Sequence, residues 1–301
     1  MGKFGVIGLG DIAQKAYLPV YSRLKDHEFH LFTRNQEKLR TIGSQYRFDH
    51  LHFTVESLIN SGITGAFVHS STASHEKIVE QLLRNKIHVF VDKPITDHYE
   101  SAKGLVALAE QMGVILMTGF NRRYAPSYQQ LKEVADPNMV IVQKHRNSLP
   151  GEPRTFIYDD FIHVVDTMRF LFPNPIEDVI VSGKMVEDSL YHVVVQFISS
   201  GAAAIGIMNR DNGTNEEIAE VMGPHEKRSV YNVSKLVISK GMETTEVRGS
   251  DWDSTLKKRG FEQMVTDFVN AVATNSQPRI SASDALKTHE ICEKILSKLG
   301  I

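Results

Sequence analysis

The stretch Phe4-Gly5-Val6-Ile7-Gly8-Leu9-Gly10-Asp11-Ile12-Ala13 decides how the rest of the chain is read. A short apolar run enters a G-x-G-x-x-A turn, and a helix-forming stretch follows over residues 11–24. Each small residue has a physical task there. Gly8 permits the tight bend, Gly10 lets the backbone approach a pyrophosphate, and Ala13 keeps the helix close to the sheet. The helix start at Asp11 and Ile12 offers free N–H groups and the positive end of its dipole to phosphate.

Outward from this turn the strand–helix alternation repeats. Strands are expected at 29–33, 66–68, 87–91 and 114–117, with helices at 35–46, 74–85 and 99–112. Such alternation implies crossover units on a doubly wound parallel sheet, an α/β Rossmann domain over residues 1–119. Past Gly119 the pattern changes. Helices are expected at 125–135, 158–172, 261–274 and 283–299. Strands are expected at 140–142, 179–186, 191–198, 202–208, 218–222, 229–233 and 236–239, joined by mostly short connections. Residues 120–301 therefore read as an α+β domain with a large, mostly antiparallel open sheet. Its apolar alternation at 191–198 and the run Gly201-Ala202-Ala203-Ala204 suit a sheet packed on both faces, which makes a homo-oligomer the expected assembly.

Composition narrows the function classes. The 301 residues carry 34 Lys plus Arg against 36 Asp plus Glu, so no partner is held mainly by charge. The basic run Lys257-Lys258-Arg259 reads as a solvated face, and nucleic acid is not expected as a partner. One cysteine, Cys292, rules out an intrachain disulfide and a polythiolate zinc site, and it reads as incidental. A reduced, cytoplasmic setting and no membrane partner are expected. The histidine pairs His50/His52 and His69/His75 lack matching carboxylates or cysteines in sequence, so no metal site is expected.

In a parallel sheet, ligands bind beyond the carboxyl ends of the strands. The second strand ends in Thr33-Arg34-Asn35 with no acid to hold a ribose, since Asp26 and Glu28 fall at or before its start. Arg34, helped by the Thr33 hydroxyl, suits a 2′-phosphate, favouring NADP over NAD. Arg34 reads almost as well as a solvated arginine at a helix start. The next tip, His69-Ser70-Ser71-Thr72-Ala73-Ser74-His75, supplies Ser70, Ser71, Thr72 and His75 as cofactor contacts. The serines and Thr72 also suit turn and cap positions, Ser74 above all. Asp92-Lys93-Pro94 follows the fourth expected strand, and Gly119-Phe120-Asn121-Arg122-Arg123-Tyr124 follows the fifth. Asp92, Lys93, Asn121 and Arg122 are assigned to the cofactor, Arg123 and Tyr124 to the substrate. Arg34, Lys93, Arg122 and Arg123 are expected to gather at one sheet edge. Lys93 suits a group that holds a reacting oxygen, and equally a salt-bridged surface lysine. Asp159, His163 and Asp166 recur at i, i+4 and i+7 on one helix face, a carboxylate–imidazole arrangement suited to acid–base work. Asp160 lies about 100° off that face and is the poorer candidate. A polar face with an ordinary ion pair is the plainer reading of the same spacing.

Together these motifs resemble the Gfo/Idh/MocA family of nicotinamide-dependent oxidoreductases over nearly the whole chain. Val68 to His75, residues 159–167 and Trp252-Asp253-Ser254-Thr255-Leu256 are similar to its MviM branch. The resemblance implies NADP or NAD as cofactor and hydride exchange with a secondary alcohol or carbonyl of a sugar or cyclitol. It implies Lys93, Asp159 and His163 as catalytic residues; Asp166, on the same helix face, is assigned to the substrate. It also implies a second sheet whose outer face is covered in a dimer or tetramer. A non-catalytic sensor of NAD(P) or sugar is the alternative within the family. Two departures stand out: Asp92 replaces the family's glutamate before the lysine, and Phe161 replaces a frequent glycine two residues before the histidine, which narrows the expected pocket.

Overall fold

A computed structural model describes residues 2–301. The chain divides into two compact units, residues 2–119 with Phe261–Lys287, and Phe120–Gly260 with Thr288–Ile301. Among the described residues no helix is long and apolar enough to cross a membrane.

The first unit is built on six parallel strands: β1 (Gly2–Ile7), β2 (His27–Phe32), β3 (His50–His52), β4 (Gly65–Val68), β5 (His88–Val91) and β6 (Leu116–Thr118). Their order is β3-β2-β1-β4-β5-β6. β4 is buried along its whole length and β5 along all but its first residue, which is why both read as continuous apolar runs. The direction of winding reverses between β1 and β4, so their carboxyl ends diverge into a crevice.

Helix 261–274, expected with the second domain, packs in the first unit instead. The Phe268 ring lies 6.3 Å from Phe4, 5.0 Å from Phe67 and 5.8 Å from Phe90, one ring on each of β1, β4 and β5. Burying one phenyl group is worth about 1.5–3 kcal/mol, and this outweighs chain order. Two further differences are local. The helix after β4 is Thr72–Arg84, two residues earlier than expected, with Ser71 at its cap position. Ser74 lies inside the first turn, where its hydroxyl donates to the Ser71 carbonyl at 2.7 Å. Residues 11–24 form a wide π-turn, Ala13–Tyr17, followed by Leu18–Tyr21. Pro19 sits in the first turn of that second piece, where its missing N–H costs nothing.

The second unit holds eight strands: β7 (Met139–His145), β8 (Asp178–Val186), β9 (Ser189–Ser199), β10 (Ala202–Asn209), β11 (Glu216–Met222), β12 (Lys227–Tyr231), β13 (Lys235–Lys240) and β14 (Glu243–Val247). Their order is β14-β13-β12-β11-β7-β10-β9-β8. β7 and β10 run parallel, and every other pair is antiparallel. In the central strands side chains alternate, with Val140, Val142 and Lys144 of β7 buried, like Val193, Val195 and Phe197 of β9. Helix Ile162–Leu171 packs on β7 and β10. Ile141, Val194, Ile198, Ile205, Ile207 and Ile218 alternate with these buried positions and stay half-buried.

Candidate active site

In the first unit a cavity of about 590 Å³ opens at the carboxyl ends of β1, β2 and β4, lined by Gly8, Leu9, Gly10, Thr33, Arg34, Asn35, Ser70 and Ser71 among others. Gly8 has φ +91°, and a Cβ there would stand 2.6 Å from the Ser70 nitrogen, so both backbone conformation and close packing demand glycine. A Cβ on Gly10 would meet nothing within 4 Å. It would project into open space at the point where a pyrophosphate must come close to the backbone. This glycine cradle fits a dinucleotide.

Lys38 and Lys77 also line the cavity and escaped the sequence reading. Lys38 lies one helical turn beyond Arg34, and that spacing is the signal that would have found it. The lining therefore carries three cations against one acid, Glu56.

Four expected cofactor contacts fall outside the cavity's lining. Asp11 pairs with Lys15 at 2.8 Å, and Ile12 is exposed outside the lining. Thr72 starts its helix and does not line the cavity. His75 is buried, with Nδ1 2.9 Å from the Pro94 carbonyl and Nε2 3.0 Å from the Ser70 carbonyl. It ties the loop after β4 to the loop after β5, so it shapes the wall rather than facing the ligand.

Asp92 is likewise occupied within the fold. The Tyr17 hydroxyl donates to Oδ1 at 2.7 Å, and His69 Nδ1 lies 3.1 Å from Oδ2. Tyr21 completes the chain, its hydroxyl 2.8 Å from His69 Nε2. Nδ1–H of His69 donating to Asp92 leaves Nε2 to accept from Tyr21. The Tyr17 and His69 rings stack with centroids 3.9 Å apart. Burial by itself would raise the Asp92 carboxyl, but the bonds from His69 and Tyr17 and the charge of Lys93 hold it below the usual range. Burial raises both tyrosine hydroxyls well above theirs, with Asp92 adding to the effect, so they remain donors. A carboxylate fixed from two sides anchors the backbone immediately before Lys93.

The second unit gathers polar groups on one side of its sheet. The expected helix 158–172 starts as a π-turn, Phe156–Phe161, before the regular Ile162–Leu171. π-turns are frequent where a helix carries function. Asp159 and His163 are half-buried on it, whereas Asp160 and Asp166 are buried. Arg122 Nη1 lies 3.0 Å from His163 Nδ1 and 3.2 Å from Nε2, and a bond to either requires that nitrogen to be unprotonated. Arg122 is itself clamped bidentately by Glu217, Nε to Oε1 at 3.0 Å and Nη2 to Oε2 at 2.7 Å. Tyr128 donates to the same carboxylate at 2.9 Å. Burial would raise the Glu217 carboxyl, yet Arg122 lowers it to about 2.

Glu217 and Lys144 are register partners across β11 and β7. Burial depresses the Lys144 ammonium to about 7 despite Asp160. Asp160 accepts from Arg146 at 2.8 and 2.9 Å, from Arg210 at 3.3 Å, and pairs with Lys144. These cations outweigh its burial and hold it far below the carboxylate range. Asp160 is the centre of a buried charge network, which its position on the helix did not reveal.

Several second-unit expectations change accordingly. Arg122 and Arg123 are each held by a buried acid of their own unit, Glu217 and Asp166. Arg123 donates to both oxygens of Asp166, at 2.9 and 2.6 Å, and Thr288 donates to Asp166 at 2.9 Å. Asp166, expected near the substrate, is thus an internal anchor with a side chain 2% exposed. Asn121 donates to the Arg259 carbonyl at 2.9 Å and accepts from Arg122 at 3.0 Å. Tyr124 is a core residue. Phe161 is fully buried, so it packs the unit's interior instead of narrowing an open pocket. Cys292 is buried too, and burial, with Asp166 adding, raises its thiol well above the usual range.

Strand order, glycine cradle and cavity define the first unit as a dinucleotide-binding Rossmann domain. Residues 2–120 match the Gfo/Idh/MocA oxidoreductase family, NAD-binding Rossmann fold, and residues 126–241 match the YceM-like C-terminal domain. The Salmonella typhimurium protein YceM is 31% identical over 97% of this chain and 96% of its own. The structure of the dehydrogenase MviM from Clostridium difficile superposes with a TM-score of 0.93 at 32% identity, covering 98% of each chain. The myo-inositol 2-dehydrogenase of Thermotoga maritima is 24% identical over 94% of this chain and 91% of its own. The chain belongs to the Gfo/Idh/MocA family of NAD-binding oxidoreductases.

Proposed function

We propose that this oxidoreductase interconverts a secondary alcohol and a carbonyl on a polyol-like small molecule, a sugar or a cyclitol. The reading is carried by the open glycine cradle at Gly10 in a chain that also holds Lys93, Asp159 and His163. The dehydrogenase names of its relatives support it, the myo-inositol 2-dehydrogenase in particular. When bound, the nicotinamide supplies the hydride acceptor or donor. Gly8, Gly10, Ser70 and Ser71 would hold its phosphates, and Thr33, Arg34 and Lys38 would hold the adenosine end. The Arg34 and Lys38 charges favour a 2′-phosphate, hence NADP. His163 would take the substrate's hydroxyl proton at an unprotonated ring nitrogen in the oxidising direction and return it in reduction. Asp159 orients the ring, and Lys93 stabilises charge on the reacting oxygen.

We also assign the half-buried apolar face of the second sheet, with Ile141, Ile205, Ile207 and Ile218, to contact with a second copy of the chain. The buried lone cysteine fits a reducing, cytoplasmic setting.

The test is a screen of sugars, cyclitols and their oxidised forms against NADPH and NADH, followed by nicotinamide absorbance. Turnover with at least one polyol is expected. Tight cofactor binding with no turnover on any of them would replace this reading with that of a sensor.

A further inference from the structure

The sequence offers His50-Leu51-His52 without a carboxylate nearby, but the fold provides one. β3 is an edge strand of the first sheet, parallel to β2, with His30 paired to His50 and Phe32 to His52. Glu28 and His30 are two apart on β2 and share a face with His50 and His52, because side chains alternate along a strand. The ligand atoms of Glu28, His30 and His50 all lie within 4.8 Å of one another. His30 Nε2 is 3.6 Å and His50 Nε2 3.9 Å from Glu28 Oε2.

A second observation points to a missing ligand. His30 is 4% exposed, and its buried Nε2 faces the Glu28 carboxylate at 3.6 Å, too far for a hydrogen bond, with no other partner. An orphaned buried ring nitrogen is costly, and a native fold rarely leaves one unexplained. The other side of that ring is already prepared. His30 Nδ1 lies 2.9 Å from His52 Nε2, and His52 Nδ1 lies 3.0 Å from the Ser57 hydroxyl. With His52 Nδ1–H donating to Ser57, its Nε2 accepts from His30 Nδ1–H. This relay leaves the lone pair of His30 on Nε2, toward Glu28. An outer hydrogen bond that fixes the tautomer is the usual support of a metal-binding histidine.

We propose that Glu28, His30 and His50 bind a divalent late transition-metal ion, zinc being the occupant their chemistry suits best, and that the ion clips edge strand β3 to β2. Two imidazoles and one carboxylate are an ordinary zinc donor set, with water as the fourth ligand. Tetrahedral bonds of about 2.0–2.1 Å place ligand atoms roughly 3.3–3.4 Å apart, so the observed separations need only modest closure. The His30 and His50 rings are stacked at 4.4 Å, so His50 must swing to aim its nitrogen at the ion. Its side chain is 51% exposed and has room to do so. Lys3, 3.6 Å from Glu28, balances the carboxylate until the metal displaces it. Just past β3, Val55 and Glu56 line the nucleotide cavity, so the clip also steadies one wall of it.

The full-length protein, stripped with a chelator, is titrated with Zn²⁺ alone by calorimetry, and its melting temperature is followed with and without Zn²⁺. One tight equivalent and a higher melting temperature are expected. His50→Ala and Glu28→Gln weaken that equivalent at least tenfold and abolish the thermal shift, whereas His98→Ala, an exposed histidine elsewhere, changes neither. His52→Ala, through the tautomer relay alone, weakens binding about tenfold to a hundredfold. Circular dichroism of the half-exposed His50→Ala variant confirms that it folds. Absence of a saturable equivalent in the wild type, or equal affinity in folded His50→Ala, overturns the proposal.

Discussion

The two sheets place their chemistry differently. In the first, the polar groups and glycines that line the cavity sit beyond the carboxyl ends of parallel strands, in turns a few residues long: Gly8 and Gly10 after β1, Arg34 after β2, Ser70 and Ser71 after β4. In the second, they sit on the buried face of the sheet itself. Glu217 on β11 and Lys144 on β7 are charges within strands, neutralised by Arg122 and Asp160 from helical segments above them. A parallel sheet offers backbone N–H groups and dipoles at its ends, so local sequence suffices. A mixed sheet with one covered face offers only side chains, so its polar groups must be paired across long chain separations.

Four outcomes would break or sharpen this contrast. The largest concerns His163. His163→Asn should lower kcat about 10²–10⁴-fold while cofactor affinity stays unchanged, as steady-state kinetics and a fluorescence titration would show. An unaffected kcat would strip the helix over the second sheet of its catalytic part.

Next, Glu217→Ala should destabilise the protein by about 3–5 kcal/mol in urea unfolding, because it strands the buried Arg122 guanidinium. The same pair sets an acid limit. With the folded-state carboxyl at about 2, below its ordinary value, Glu217 contributes stability that is complete above the ordinary carboxylate pKa and is lost as pH falls toward about 2. Unfolding free energy should drop across that window in the wild type and change less in Glu217→Gln. Equal acid sensitivity of the two would show that the network does not depend on this charge.

In the first sheet, Gly8→Ala should cost about 1–3 kcal/mol in backbone strain and crowding against Ser70, and reduce dinucleotide affinity more than tenfold. Retained affinity would mean that the cradle is not the binding element. The smallest effect is on cofactor choice. Arg34→Ala should weaken NADPH about tenfold, roughly 1.4 kcal/mol, and leave NADH nearly unchanged. A wild type that prefers NADH would make Arg34 a solvated surface arginine.

Legibility follows the same line. β1, its glycine turn, the succession of parallel strands and the position of Lys93 could all be read from runs of a few residues, since each rests on local geometry. Helix periodicity put Asp159, His163 and Asp166 on one face but could not show what their neighbours pair with. Asp160, set aside for its angle, anchors three cations, and Asp166, favoured for its face, is spent on Arg123. β3 escaped notice because three residues, His-Leu-His, carry too little apolar pattern to mark a strand. Its absence hid the juxtaposition of Glu28, His30 and His50.

By itself the sequence determined the class of fold and the glycine turn of the nucleotide cradle. These depend on turn conformation, helix starts and short-range spacing. Only the tertiary structure decided which charges are available. Arg122 and Glu217 are 95 positions apart, yet they close a two-pronged ion pair, and Phe268 leaves its neighbours in the chain to cover β1, β4 and β5. Burial makes such pairings compulsory, because an unpaired charge or an uncovered ring costs more than the chain loses by reaching across its own length.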